Sequence, residues 1–239
     1  MARYLIIGII VFLVLAVGLA PAGIVSRALE AVPEADLLET RGTIWQGQGQ
    51  LLVDGRSIGA LSWSFKPLSL FALSPAADWQ LSQNLAQLSG TGSFDGLMNL
   101  TAAGQIQAPA VNQWLAQYDI ELDGLFDVEN LSIVASEAYV NEIDGVVRWT
   151  GGMVRFTLSG RLSQENLPPL LATFTIEDGI ARGVVTEPGS ATPLLIITQA
   201  EPGLVKIGLT KGFTRVLNQP WPGSDPDHVV VLEVEEYLR

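Results

Sequence analysis

Few side chains in this sequence have types and spacings that suggest chemistry. The single histidine, His228, comes directly after Asp227 and three residues after Asp225, and an Asp–His pair can orient a general base or contribute to a metal site. One histidine with loop carboxylates supplies neither a nucleophile with its base nor a complete zinc site. We therefore interpret His228 as a surface residue between a loop and a strand.

Four acidic residues form a second candidate: Glu121, Asp123, Asp127 and Glu129. They alternate with apolar residues, which favours the solvated face of a strand, and no EF-hand-like loop surrounds them to support the alternative of a calcium site. The chain contains neither a phosphate-cradling G-x-x-x-x-G-K-[ST] motif nor a G-x-G-x-x-G motif after a strand. We predict no catalytic, cofactor-binding or metal-binding residue and no enzymatic activity.

Composition excludes further classes of function. The chain has no cysteine, which excludes disulfides, thiolate metal sites and cysteine nucleophiles. Its formal charge is -12, from 25 acidic and 13 basic residues, and no cluster of Lys or Arg offsets this charge locally. Such a surface repels phosphate backbones, so nucleic acid is excluded as a partner.

The elements that must carry these residues are mainly β-strands. Apolar and polar residues alternate within Thr43–Val53, Leu61–Phe65, Ile120–Val128 and Val154–Leu162, which is typical of antiparallel strands with one buried face. The predicted buried faces are Trp45, Gly47, Gly49, Leu51 and Val53; Leu61, Trp63 and Phe65; Ile120, Leu122, Gly124, Phe126 and Val128; and Val154, Phe156, Leu158 and Leu162.

Turn signals agree with this pattern. Asp178-Gly179 separates the apolar segments Ala172–Glu177 and Ile180–Thr186 and predicts a hairpin. The dipeptide recurs at positions 54, 95, 123 and 144. Gly124 lies inside an alternating segment, where a bulge or a close backbone approach is expected instead of a turn.

Helical signals are short within the body of the chain. Val111, Trp114, Leu115 and Tyr118 follow helical spacing after Pro109, and Pro67–Phe71 or Leu167–Leu171 could form single turns. The predicted fold is mostly β and antiparallel, a curved sheet or a sandwich of many short strands, preceded by one N-terminal transmembrane helix.

That helix is predicted from the apolar residues 4–25, which are long enough to cross a bilayer about 30 Å thick. Arg3 precedes this segment, and the positive-inside rule keeps the N-terminus in the cytoplasm. The alternative is a cleaved signal peptide, with Ala20-Pro21-Ala22 as its cleavage site, but the segment exceeds the usual length of a signal-peptide core. We expect residues 1–3 in the cytoplasm, residues 4–25 as the anchor and residues 26–239 as a periplasmic β-rich domain.

The residues that surround two tryptophans carry a family resemblance. Gly42, Thr43, Trp45 and Gly47 form a G-T-x-W-x-G element, and Leu61, Trp63 and Pro67 form an L-x-W-x-x-x-P element. With the N-terminal anchor and the tail Pro222-Gly223-Ser224-Asp225-Pro226-Asp227, the chain resembles type II secretion system protein N, the general secretion pathway protein N family. These residues are interpreted as a structural motif, with Trp45 and Trp63 in the core; the alternative is that tryptophans line an apolar groove.

The resemblance implies a single-pass protein of the inner membrane that assists the machine exporting folded proteins across the Gram-negative outer membrane. Its implied partners are other inner-membrane subunits of that machine and the inner membrane itself, and the family supplies no catalytic residues. A more distant architectural likeness, to AsmA-type proteins, leaves a second function open: a periplasmic lipid-handling protein with an apolar groove.

Overall fold

The computed structural model describes residues 19–29, 35–136, 139–158 and 160–237. Within these ranges the chain forms three α-helices, α1 (Gly23–Leu29), α2 (Ala108–Leu115) and α3 (Lys211–Val216). The described strands are β1 (Ala35–Gly42), β2 (Gln46–Val53), β3 (Arg56–Phe65), β4 (Ala76–Gln83), β5 (Ala86–Phe94), β6 (Met98–Gln107), β7 (Ile120–Leu122), β8 (Leu125–Ala135), β9 (Val140–Trp149), β10 (Gly152–Leu158), β11 (Arg161–Leu167), β12 (Leu170–Glu177), β13 (Ile180–Thr186), β14 (Leu195–Glu201), β15 (Leu204–Thr210) and β16 (Val230–Tyr237).

The residues divide into two compact units. The first comprises the described residues up to Gln83 together with Thr91–Asp95, and the second comprises Asn84–Gly90 and the described residues from Gly96 onward. Strand β5 contributes residues to both units.

The first unit is an antiparallel sheet in the order β1-β2-β3-β4. Its small core is formed by Ala22, Leu37 and Trp63. Helix α1 covers this core, because Val25 and Leu29 pack against the same cluster. A short sheet with one apolar face needs such a cover to remove that face from water.

The second unit contains a sheet in the order β6-β8-β9-β12-β13-β14-β15-β16 in which neighbouring strands are antiparallel. Two segments are inserted between strands of this sheet. The first, α2 and β7, follows β6, and the second, the hairpin β10–β11, follows β9. They pair with each other in the order β11-β10-β7 and form a second, three-stranded sheet. The two sheets share a buried cluster that includes Trp149, Val154 and Leu170.

Two glycines allow the inserted segments to approach each other closely where β7 ends and β10 begins. Gly124 has φ +97° and Gly151 has φ +79°, in the region that favours glycine. A Cβ built on Gly124 would lie 2.4 Å from the Gly151 carbonyl oxygen. The indole of Trp149 donates to the carbonyl of Asp123 at 2.9 Å and fixes this crossing. The close backbone approach predicted at Gly124 is confirmed.

The mostly β, antiparallel fold is confirmed, and so is the hairpin at Asp178-Gly179. Glu177 pairs with Ile180, and both turn residues have positive φ, 52° and 78°, as a type I′ turn requires. Asp54-Gly55 forms an equivalent turn between β2 and β3, with φ 52° and 70°. Asp144 instead pairs with Ser132 inside β9, so this dipeptide is no turn.

Two predicted strands are wrong in extent. Ile120–Val128 is divided between β7 and β8, which lie in different sheets, because the backbone turns at Gly124. Val154–Leu162 spans the end of β10 and the start of β11, because Gly160 adopts φ +74° at the hairpin. Leu162 consequently pairs with Thr157 and is 74% exposed, and does not share the buried face of Val154.

The predicted helix after Pro109 is confirmed as α2, followed by a 3₁₀ helix at Ala116–Tyr118. A 3₁₀ helix also occupies Pro67–Ala72, where a single turn was expected. Leu167–Leu171 is not helical, since these residues end β11 and begin β12. Helix α3 has no counterpart in the sequence prediction, and α1 overlaps the predicted anchor helix only at residues 23–25.

Most of the predicted anchor, residues 4–18, lies outside the described residues. Its last residues belong to the first unit: Pro21 forms a β-bridge with Thr43, Ala22 is 2% exposed, and α1 begins at Gly23. Among the described residues, no helix has the length and apolar character needed to cross a membrane.

Candidate functional site

The G-T-x-W-x-G element forms the turn between β1 and β2. Gly42 has φ +96°, and a Cβ there would lie 2.5 Å from the Gln46 carbonyl oxygen. Thr43 closes the turn: its N–H donates to the Gln46 carbonyl at 2.9 Å, and its Oγ1 accepts from the Gln46 N–H at 3.2 Å. Trp45 precedes β2, is half-buried, and packs edge-on against Phe65 with centroids 5.3 Å apart.

The second element lies directly beside this turn. Trp63 of β3 is buried, pairs with Gly47 of β2, and donates from Nε1 to the Ile44 carbonyl at 3.2 Å. Leu61 packs against the same core, and Pro67 begins the 3₁₀ helix that follows β3. The structure therefore brings the seven motif residues together in the first unit.

The opposite face of these strands is polar. Gln48, Ser62 and Gln80 occupy paired positions on β2, β3 and β4, at a depression of about 540 Å³. Arg41 and Asp78 also line it, and the Asp78 carboxylate forms an ion pair with Lys66 at 2.7 Å. These groups point to hydrogen bonding with water or a polar partner.

An exposed apolar segment follows the motif. In Pro67–Ala72 and the next residue, Leu68 is 79% exposed, Phe71 87% and Leu73 85%. The Ser69 hydroxyl holds the segment in place, because it donates to the Lys66 carbonyl and accepts from the Ala76 N–H. A cluster of three large, solvent-exposed apolar side chains is unusual on a protein surface that binds nothing. The segment is therefore a candidate site for contact with another molecule.

The residues around His228 form no catalytic arrangement in the described chain. His228 and Asp225 are exposed, and the carboxylate of Asp227 accepts from Arg215 at 2.7 Å. No hydrogen bond joins His228 to either aspartate within the described ranges.

The four acidic residues also lie apart. Glu121 of β7 pairs with Arg155 of β10 at 2.9 Å, and Glu129 of β8 pairs with Arg148 of β9 at 2.7 Å. The Arg148 guanidinium lowers the pKa of the Glu129 carboxyl, chiefly through their hydrogen bond. Across the described ranges, no group of three or more metal-ligating side chains is placed to hold a metal ion.

The feature that sequence reasoning did not locate is a cavity of about 490 Å³ between the two sheets of the second unit. One wall comes from the larger sheet, including Trp149, Ala172 and Val185, and the other comes from β7 and β10, including Ile120 and Phe156. Most of the lining side chains are apolar. Six of them carry a polar atom: Tyr118, Trp149, Thr157, Thr214, Gln219 and Trp221.

Exposed residues mark the mouth of this cavity. Tyr118 is 47% exposed, Trp221 45% and Leu232 49%, whereas Trp149 is only 6% exposed. The Tyr118 hydroxyl donates to the Glu236 carboxylate at 3.1 Å and links the end of the 3₁₀ helix to β16. This hydrogen bond, followed by burial and the carboxylate charge, raises the pKa of Tyr118 above its ordinary value of 10.0.

Helix α3 holds the remaining part of the rim. Thr210 caps the helix, with its Oγ1 accepting from the Phe213 N–H at 3.3 Å. The Thr214 Oγ1 accepts from the Trp221 N–H at 3.1 Å, and the buried Lys211 ammonium donates to the Gly223 carbonyl. These bonds fix the loop that places Trp221 at the mouth.

The cavity is open to solvent at its mouth and apolar in its interior. Water fills such an interior poorly, because a buried water needs two to four polar partners. The arrangement suits an apolar occupant.

Comparison with known families defines the class of the protein. The model of the family described as type II secretion system (T2SS), protein N, matches residues 33–203, which is well over half of the chain. The fold and this match define a β-rich protein with a role related to type II secretion. The chain belongs to the type II secretion system protein N family.

Membership implies association with components of that secretion machinery and with the cell envelope. The matched residues include the two motif elements and end before β15, so α3, β16 and the tail from Pro222 lie beyond them. Neither the comparison with curated proteins nor the comparison with solved structures finds a match.

Proposed function

We propose that this chain is an accessory inner-membrane subunit of the type II secretion machinery. It acts as a structural or interaction component in the export of folded proteins and carries no catalytic activity of its own. The observation that carries the proposal is the family match over residues 33–203. The G-T-x-W-x-G turn adds support, because its residues serve packing and backbone geometry in the first unit.

The proposed topology follows from the sequence. The apolar segment that begins at residue 4 anchors the chain in the inner membrane, and residues 1–3 remain in the cytoplasm. The periplasmic body begins where Pro21 and Ala22 join the first unit and includes everything that follows. Tethering raises the effective concentration of the body near other inner-membrane subunits, which makes weak contacts productive.

The apolar segment Pro67–Ala72 is the proposed region of contact with those subunits. It lies in the unit that directly follows the predicted anchor, and its leucine and phenylalanine side chains project into solvent. Contacts of this kind concentrate their binding energy in a few large side chains.

A photo-crosslinking amino acid at position 71, in the full chain in intact cells, tests this proposal. The expected result is capture of inner-membrane subunits of the type II machinery. The matched control places the same amino acid at position 54, in the exposed β2–β3 turn of the same unit, where little capture is expected. Capture at position 71 of lipid alone, or of proteins unrelated to secretion, would contradict the proposed contact.

A further inference from the structure

We infer that the cavity of the second unit is a binding site for one acyl chain of a neutral or zwitterionic lipid. The site is independent of the proposed contact at Pro67–Ala72, because it lies between the two sheets of the other unit. Nothing in the family match refers to a ligand at this position.

The chemical class of the occupant follows from how polarity is distributed along the cavity. The deep wall is apolar and buried, with Trp149, Val154 and Leu170 at 6%, 5% and 9% exposure. The hydroxyl of Tyr118 and the amide of Gln219 belong to exposed side chains of the lining. An apolar interior with a polar mouth matches a molecule that has a hydrocarbon body and a hydrated head.

The volume selects the size of that body. At roughly 30 Å³ per methylene, close to the share of one water molecule in the liquid, about 490 Å³ accommodates roughly 16 carbons. This corresponds to one acyl chain of ordinary membrane length, and two chains would need about twice the space.

Charge near the mouth decides the kind of head group. Glu236 presents a carboxylate that is bound to Tyr118. The neighbouring cations are engaged: Lys206 with Glu235 at 2.7 Å and Arg215 with Asp227 at 2.7 Å. The ammonium of Lys211 is buried under the rim and donates to the Gly223 carbonyl, so it does not face the mouth as a free charge. An anionic head group would meet this carboxylate without a free basic partner, so a neutral or zwitterionic head is favoured.

The test uses the full chain in native membrane vesicles. The probe is a lysophosphatidylethanolamine with a photoreactive diazirine near the end of its acyl chain. After irradiation, we expect modified peptides from β9, β10 and β12. Unlabelled lysophosphatidylethanolamine should compete with the probe more effectively than palmitate does. Equal competition by palmitate would overturn the head-group assignment.

Two variants address the cavity itself. Ala172→Trp fills it, and Leu232→Asp places a carboxylate at the half-exposed rim, where folding is affected least. Each should reduce labelling by roughly fivefold or more, since a half-buried leucine contributes about half of what a fully buried one does. Leu162→Asp is the matched control, since Leu162 is 74% exposed in the same unit and does not line the cavity; its labelling should remain at the wild-type level.

Each possible result of the labelling experiment either supports or contradicts the proposed lipid site. Labelling of the cavity strands that is lost in Leu232→Asp and kept in Leu162→Asp supports the site, even if Ala172→Trp does not reach the membrane. Absence of labelling, labelling restricted to other segments such as Pro67–Ala72, or equal labelling of Leu232→Asp and wild type would each overturn it. Because none of these measurements depends on secretion or on captured subunits, they do not share a failure with the proposed function.

Discussion

Gly47 and Trp63 lie opposite each other on β2 and β3, and the indole ring occupies the space that a side chain at Gly47 would need. A Cβ built on Gly47 would lie 2.5 Å from Cζ2 of Trp63 and 2.8 Å from the carbonyl oxygen of Arg41. The two elements of the family motif are therefore complementary in shape. The first element contributes a glycine, which has no side chain, and the second contributes the large indole that fills the space above it.

Gly47→Ala should destabilise the protein by about 1–3 kcal/mol, the usual cost of overpacking, because neither the buried ring nor the backbone oxygen can easily move. Denaturant unfolding of the purified protein measures the change. Gly92→Ala is the control, since no heavy atom lies within 4 Å of a Cβ built there. Equal stability of the two variants would show that the ring does not fill this space.

Trp63→Ala should cost about 3–5 kcal/mol, because it removes a large aromatic side chain from a buried position and leaves a cavity. The same measurement on Trp45→Ala should show a smaller loss, since Trp45 is half-buried and contacts Phe65 at the edge of its ring. If Trp63→Ala keeps full stability and yet abolishes secretion, Trp63 is a contact residue and not part of the core.

The bond between Tyr118 and Glu236 predicts a pH dependence at alkaline pH. The raised pKa of Tyr118 means that the folded state holds the phenolic proton more tightly than the unfolded state does. The stabilisation is complete below pH 10.0 and is lost as the pH rises through the folded pKa. Tyr118→Phe should lack this loss. Lys206, whose pKa is raised chiefly by its hydrogen bond to Glu235, contributes to the alkaline loss in both proteins.

The comparison is therefore the difference in unfolding free energy between wild type and Tyr118→Phe, followed from pH 7 upward. The difference should be constant up to about pH 10 and should then shift in favour of the variant. A difference that stays constant throughout the alkaline range would show that the hydroxyl has no stabilising partner in the folded protein.

The proposed topology predicts that Ala60→Cys is labelled from the periplasm. Ala60 is exposed on β3, and the chain has no cysteine of its own. A membrane-impermeant maleimide should react once the outer membrane is permeabilised. Ala2→Cys, in the segment assigned to the cytoplasm, is the control and should react only after lysis of the inner membrane. The reverse order of labelling would contradict the topology.

The sequence predicted local features of the fold well. It predicted poorly the features that depend on pairing between distant segments of the chain. The hairpin at Asp178-Gly179 is specified by its two turn residues, and alternation identified most strand faces. Alternation also continued through Gly124. An irregularity was expected at this glycine, but no residue pattern indicated that β7 and β8 belong to different sheets. Helix α3 has six residues, too few to show a helical period, and the capping residue Thr210 is its only local signal.

The cavity could not be predicted for a related reason. Tyr118 and Leu232 line the same cavity although they are far apart in the chain, and the strand pairing that unites them is non-local. The motif at Gly42–Gly47 was recognisable because its turn, its tryptophan and its glycines lie within a few residues. Its exact partner atoms on β3 became apparent only with the register of the sheet.

The central claim, that the chain works as a tethered component of type II secretion, is tested most directly by secretion of a reporter substrate. A strain lacking the protein is complemented with wild type, with His228→Ala, or with the body exported by a cleavable signal in place of residues 1–18, which leaves Pro21, Ala22 and α1 of the first unit intact. Secretion should be restored by wild type and by His228→Ala, whose side chain is exposed and has no hydrogen-bonded partner among the described residues. It should fall with the untethered body, which is diluted through the periplasm. Loss of secretion with a folded, membrane-bound His228→Ala protein, or full secretion with the untethered body, would contradict this account.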